Sequence, residues 1–128
     1  MDDVKIILLC LDILERLKGQ IFNRSAVFYI EDAVRLTRQW LNEQAEIADA
    51  MYDLLDNEAQ SFTLFQEAEA DARQIAVWNC IIDAAAYLCR RAYEVQGAKY
   101  VPEPIELVGA DTLERMKHTY EEICNGNI

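Results

Sequence analysis

Glycine and proline are scarce in this chain, and their scarcity limits the fold class. The 128 residues include four glycines and two prolines. Glycine does not interrupt the segments in which apolar residues recur every three to four positions, and the strict alternation of a half-buried strand is missing. We therefore predict an all-α fold, in which residues 1–128 form a single-domain bundle of about five to six helices.

Residue patterns typical of several enzyme classes are also missing. His118 is the only histidine, and no two of the four glycines lie close enough together to form a phosphate loop. Cys10, Cys80, Cys89 and Cys124 are not spaced as a zinc pair or a CxxC redox motif, so we expect them to be packing residues. We predict no catalytic residue, no metal and no cofactor, and we expect His118 to form an ion pair on a helix surface.

Long apolar runs and a signal peptide are lacking as well. The run at residues 6–11 is far shorter than the roughly 20 residues that a bilayer-spanning helix needs. Asp2 and Asp3 stand where a signal peptide would carry basic residues. Cysteines that remain reduced suit the cytosol. We expect a cytoplasmic protein that does not contact the membrane.

Basic residues are absent from one long interval. The chain has 23 acidic and 12 basic residues and a net charge of -11, but no Lys or Arg occurs between Arg38 and Arg73. That interval holds nine acids, so the rest of the chain is close to neutral. A surface of one sign costs self-repulsion and attracts basic partners. We predict a basic protein partner and no direct contact with nucleic acid.

The longest helical pattern, at residues 71–96, is expected to form the central helix. Apolar residues such as Ile75, Trp78 and Ile82 recur there at steps of three and four, and Gly97 follows as a terminator. The pattern fits both one continuous helix from residue 62 and a break near residues 69–71.

Polar and glycine residues mark the other helix ends. We expect the first helix to end at Gly19, and the second to begin at a cap formed by Asn23 or Ser25 and to end near Asn42. Ser61 is a candidate cap for a later helix.

Two further segments complete the predicted bundle. Residues 43–57 are expected to form an amphipathic third helix. Pro102 and Pro104 predict an extended crossover at residues 98–110. Asp111 is expected to cap the last helix.

The acidic interval supplies the candidate binding residues. At about 100° per residue, most acids of the predicted third helix fall on one face, beside its apolar stripe. Tyr52 would anchor a partner if it were exposed, although its spacing also suits the core. A solvated face that keeps the protein soluble is the plainer alternative. The predicted partner-binding residues are Glu43, Glu46, Asp49, Tyr52, Asp53, Asp56, Glu67 and Asp71.

Two alternative functions use the same carboxylates. Glu43 and Glu46, followed by Glu67 and Asp71, are loosely similar to the ExxE and ExxD pairs with which all-α nucleotide pyrophosphatases hold Mg²⁺. However, Asp71 lies one position too far from Glu67, and the interval offers no cation for the phosphates. An acidic adaptor or chaperone is the other alternative.

Residues 78–107 resemble a known family. Their order is similar to that of the helical immunity proteins of bacterial polymorphic-toxin and contact-dependent growth inhibition systems, in the sixth of the numbered immunity families. The residues that carry the resemblance are Trp78, Asn79, Asp83, Tyr87, Ala92, Tyr93, Glu94, Gly97, Lys99, Tyr100, Pro102, Ile105 and Glu106.

The resemblance implies a cytoplasmic, non-enzymatic antitoxin that neutralises a cognate toxin domain, often a nuclease. It assigns no site residues. Combined with the charge pattern, it predicts that the acidic residues bind the basic, substrate-binding surface of the toxin and so make the chain a nuclease inhibitor. The oligomeric state is left open.

Overall fold

Helices make up most of the chain, as the sequence predicts. The computed structural model describes residues 3–128, so Met1 and Asp2 lie outside the described part. Residues 3–128 contain no strand and form seven α-helices: α1 (Asp3–Leu17), α2 (Arg24–Glu43), α3 (Ala48–Leu55), α4 (Phe62–Glu67), α5 (Ala72–Gln96), α6 (Glu103–Glu106) and α7 (Ala110–Cys124). A 3₁₀ turn, Lys18–Gln20, follows α1. The all-α prediction is confirmed. Over the same residues, every helix is too short or too polar to cross a membrane.

The central position of α5 is confirmed. This helix packs against α1, α3, α4, α6 and α7, and less extensively against α2. Trp78, Ile81 and Leu88 on α5 are fully buried, and one apolar cluster extends from Ile6 on α1 to Ile123 on α7. Because α5 contacts each of the other six helices, it sets the positions of the surface elements.

Gly97 ends α5, as predicted. Its φ of 67° lies in the left-handed region, and its N–H bonds to the carbonyl of Glu94. A residue with a side chain would be strained there.

The predicted caps of α2 and α4 are present, and the break before α5 is resolved. The side chain of Asn23 accepts a hydrogen bond from Ala26 N–H at 3.3 Å, and Ser61 accepts one from Leu64 N–H at 3.3 Å. Residues 68–71 separate α4 from α5, and the Asp71 carboxylate caps α5 by accepting from Gln74 N–H at 2.9 Å.

The prediction of a third helix at residues 43–57 is wrong at both ends, because α3 extends only from Ala48 to Leu55. α2 continues to Glu43, and Gln44 then takes a left-handed conformation with φ 58°. This turn breaks the chain direction, so α3 begins only at Ala48. The side chain of Gln96 on α5 accepts a hydrogen bond from Ala48 N–H at 3.0 Å and fixes that start.

The predicted extended crossover is also wrong, because it contains α6. Pro104 lies in the first turn of α6, where a helix does not need the missing N–H. The last helix begins at Ala110, with Gly109 as the residue before it, so Asp111 lies in the first turn and is not the cap. Instead, the Thr112 hydroxyl accepts from Gly109 N–H at 3.5 Å.

Candidate functional site

The position of α3 is fixed by its contacts with the C-terminal half of α5. Met51 and Leu55 on α3 are buried against the core. The Tyr93 hydroxyl of α5 donates to Oδ1 of Asp49 at 2.7 Å, and the Cys89 thiol donates to the Ala48 carbonyl at 3.5 Å. Burial, followed by the hydrogen bond to Asp49, raises the pKa of Tyr93. The inner face of α3 is therefore anchored, and its acidic face is directed to solvent.

Three carboxylates of α3 and its C-terminal end, those of Asp49, Asp53 and Asp56, are exposed. Their partners are neutral: Asn57 Nδ2 donates to Asp53 at 2.7 Å, and the Tyr52 hydroxyl donates to Asp56 at 3.2 Å. Tyr52 is half-buried, and its pKa is raised by burial and then by the charge of Asp56. Acidic residues spaced three or four positions apart on a helix cost a few tenths of a kcal/mol per like-charge pair.

No ion pair within residues 3–128 uses an acid from the interval 43–71. The ion pairs of the described part instead join basic side chains to acids outside that interval, namely Asp12, Glu15, Asp32, Asp83, Glu94 and Glu122. The last of these contacts places His118 Nε2 at 3.8 Å from Glu122 on the helix surface, and it is an ion pair only when the imidazole is protonated. Within the described part of the chain, no ion pair therefore offsets the charge of these acids.

The predicted binding residues do not form one patch, because some lie near the N-terminal end of α5 and others lie near its C-terminal end. Asp71 caps the N-terminal end of α5, whereas Asp49 bonds to Tyr93 near the C-terminal end. At about 1.5 Å of rise per residue, the roughly 22 positions from Asp71 to Tyr93 span about 33 Å. This distance is several times the Debye length of about 8 Å at physiological salt. Glu67 is close to Asp71 in the chain and belongs with it.

Glu43 and Glu46 are separated by the turn at Gln44. Glu43 lines a depression that also contains Lys18, Arg35 and Arg38, so it lies in mixed-charge surroundings. Glu46 lies beside the C-terminal end of α5 and is close to α3. Five of the eight predicted residues lie on α3 or within two residues of its ends, and we name them the α3 acidic surface: Glu46, Asp49, Tyr52, Asp53 and Asp56.

The carboxylates do not form the paired motif of a nucleotide pyrophosphatase. Glu43 ends α2 and Glu46 follows the left-handed turn, so the two do not share a helix face. Glu67 ends α4 and Asp71 caps the following helix. Among the residues that the structure describes, no three His, Cys, Asp or Glu side chains are grouped closely enough to hold a metal ion.

Three of the four cysteines are buried core residues. Burial raises the pKa of Cys10, Cys80 and Cys89 to about 12, so their thiols are protonated at neutral pH. Cys124 is exposed. The prediction that the cysteines are packing residues is confirmed for these three.

A groove beside α3 was not predicted from the sequence. It has a volume of about 560 Å³ and lies between α3, α5, α6 and α7. Its inner part is apolar and includes Leu55, Ile82, Ile105 and Val108, and its margin includes Tyr52 of the α3 acidic surface. No local pattern marks this groove, because it exists only where α6 and α7 pack against α5.

One wall of the groove is held by a charged pair. Asp83 of α5 has a side chain that is only 9% exposed, and Arg115 of α7 binds it through two hydrogen bonds of 2.9 and 2.7 Å. These hydrogen bonds raise the pKa of Arg115. The pair connects α7 to α5 and satisfies a carboxylate that the core would otherwise leave without a partner.

Comparisons with known proteins identify the family. No curated protein and no solved structure matches the chain. Residues 6–125, nearly the whole chain, match the family described as Immunity protein Imm6, in agreement with the resemblance found at residues 78–107. The chain therefore belongs to the Immunity protein Imm6 family.

Proposed function

We propose that this chain neutralises its cognate toxin by binding a basic surface of the toxin domain with the α3 acidic surface. Membership of the family gives the general role, which is that of an immunity protein that neutralises a toxin. The surface used and the basic character of the toxin are our proposal. Glu43, Glu67 and Asp71 lie outside the main contact.

The observation that carries the proposal is the uncompensated charge of α3. Its carboxylates are exposed, and no basic side chain of residues 3–128 neutralises them. The bond from Tyr93 to Asp49 also holds one carboxylate in place before a partner arrives. Charges that are exposed and held in position accelerate association with a surface of opposite sign.

A nuclease is the toxin class that suits this surface. Nucleases bind the phosphate backbone with Lys and Arg, so their substrate-binding surfaces are basic. An acidic protein surface at the same place would exclude the nucleic acid without any catalytic step by the immunity protein. We place this interaction in the cytoplasm of a cell that is exposed to contact-dependent growth inhibition.

Charge reversal on α3 tests the proposal. The double variant Asp49→Lys with Asp53→Lys should associate at least about tenfold more slowly with the cognate toxin domain, because attraction becomes repulsion. It should also protect cells poorly against that toxin. Stopped-flow fluorescence gives the association rate, and growth during toxin expression gives the protection.

Two controls make the result specific. Glu114→Lys with Glu121→Lys makes the same change in net charge on exposed residues of α7 and should slow association much less. Tyr93→Phe removes the hydrogen bond to Asp49 but leaves its charge, so it separates the two effects. Unchanged association and protection in the α3 variant would remove the α3 acidic surface from the mechanism.

A further inference from the structure

The groove between α3, α5, α6 and α7 is suited to an apolar side chain. Its inner surface combines buried residues, among them Ile105 and Val108, with the half-buried Ile82 and Ala86. A volume of about 560 Å³ is within the range of clefts that bind a small ligand, so the groove has room for side chains of a partner. Apolar atoms that a partner places there would leave water, which favours binding.

Exposed apolar residues lie around the groove. Leu107, in its lining, is 77% exposed, and the nearby Tyr100 is 79% exposed. Burial and the nearby Asp56 are the main causes of the raised pKa of Tyr52. Tyr100 is close enough to Tyr52 to add a smaller electrostatic contribution in the same direction. Tyrosines and apolar residues that surround a pocket are typical of the energetic centre of a protein interface.

The groove is formed before any partner binds. The Arg90 side chain of α5 donates to the Glu106 carbonyl at 2.5 Å and also to the Val108 carbonyl, and these bonds hold the α6 segment on one side. The pair of Asp83 and Arg115 holds α7 on another side. Since the walls are fixed by hydrogen bonds, a partner does not have to order them, which lowers the free-energy cost of binding.

The charges that line the groove favour a basic partner. Three carboxylates, those of Asp56, Asp83 and Asp111, line it together with one guanidinium, that of Arg115. Asp83 and Arg115 neutralise each other. Asp56 and Asp111 therefore give the margin an excess of negative charge around an apolar interior.

We infer that this groove binds an apolar side chain of the toxin domain that is flanked by Lys or Arg, and that this insertion slows dissociation of the complex. The inference rests on the proposed function, since the partner is the same toxin domain. The α3 acidic surface sets the association rate, and the groove sets the dissociation rate.

Two substitutions in the groove test the inference by biolayer interferometry against the cognate toxin domain. Leu107→Ser removes an exposed apolar contact, and Ala86→Leu fills part of the groove. Each should raise the dissociation rate by about tenfold and leave the association rate nearly unchanged. Phe28→Ser is the matched control, because Phe28 is 69% exposed on α2 and does not line the groove. It should change neither rate by more than about twofold.

The basic character of the inserted segment is tested separately. Asp111→Asn removes one charge from the margin and should slow association by a few-fold at low salt. An unchanged or faster association rate would contradict the part of the inference that places Lys or Arg beside the inserted side chain. The apolar insertion would then be the only part of the inference that stands.

The outcomes distinguish this inference from the proposed function. If the wild-type chain binds the toxin domain but both groove variants dissociate at the wild-type rate, the inference is wrong and the proposed function stands. If the wild-type chain does not bind that domain, both are wrong. Circular dichroism checks the fold of each variant, and the exposed position of Leu107 keeps the test valid even if Ala86→Leu is unstable.

Discussion

Replacing Arg115 with alanine should destabilise the fold more than replacing its partner Asp83. The Asp83 side chain on α5 is only 9% exposed, whereas the Arg115 side chain is 64% exposed. Arg115→Ala therefore leaves a buried carboxylate without its guanidinium. Asp83→Ala leaves a guanidinium that is free to turn into water.

The magnitude follows from the two hydrogen bonds and the exposure of Arg115. Removing one partner of a fully buried ion pair lowers the free energy of unfolding by about 3–5 kcal/mol, whereas an exposed pair contributes about 0–1 kcal/mol. This pair has one buried and one exposed member, so we expect about 2 kcal/mol for Arg115→Ala. For Asp83→Ala we expect about 1 kcal/mol, which is the net value of an ordinary hydrogen bond.

Urea denaturation of both single variants and the double variant measures these free energies of unfolding. The coupling energy from the cycle should exceed about 0.5 kcal/mol, as expected for residues in direct contact. Arg35→Ala is the control, because Arg35 pairs with Asp32 on an exposed helix face and should change stability by less than about 0.5 kcal/mol. A larger loss for Asp83→Ala than for Arg115→Ala would refute the reasoning from burial.

Two further predictions concern the core and the end of α5. Iodoacetamide at pH 8 should modify only Cys124 in the native protein and all four cysteines in urea, because burial raises the pKa of the other three to about 12; mass spectrometry that finds two or more adducts on the native protein would contradict this. Gly97→Ala should cost about 1 kcal/mol through its left-handed backbone alone, since no atom lies within 4 Å of the added Cβ. Thermal unfolding should show no such loss for Gly19→Ala, whose Cβ is also uncrowded and whose φ is not positive.

The features that the sequence predicts correctly depend on local chemistry. The apolar spacing of residues 71–96 identifies α5, and Gly97 marks its end because glycine alone takes the left-handed conformation without strain. Asn23 and Ser61 identify two helix starts through their side-chain oxygens. Each of these signals involves only residues that are a few positions apart in the chain.

The features that the sequence misses depend on exceptions or on distant contacts. A left-handed glutamine is uncommon, so nothing near Gln44 signals the turn that shortens the third helix. Pro104 was expected to prevent a helix, but the first turn tolerates it. The groove depends on Arg90 bonding to carbonyls 16 and 18 residues further along the chain, which no periodicity reveals.

The sequence predicts which residues make the candidate site acidic, but it does not predict which of them lie on the same surface. The absence of basic residues between Arg38 and Arg73 identifies the acidic interval. Its division into separate regions follows from the length of α5, which keeps Asp71 about 33 Å from the Tyr93 end.

The central claim is that the charge of the α3 acidic surface drives association with the toxin, and the salt dependence of the association rate tests it most directly. Raising the salt to about 1 M shortens the Debye length to about 3 Å and should slow wild-type association with the cognate toxin domain by at least about tenfold. The rate of Asp49→Lys with Asp53→Lys should be low at low salt and should not fall further as salt increases. Equal rates and equal salt dependence for the two proteins would contradict the claim.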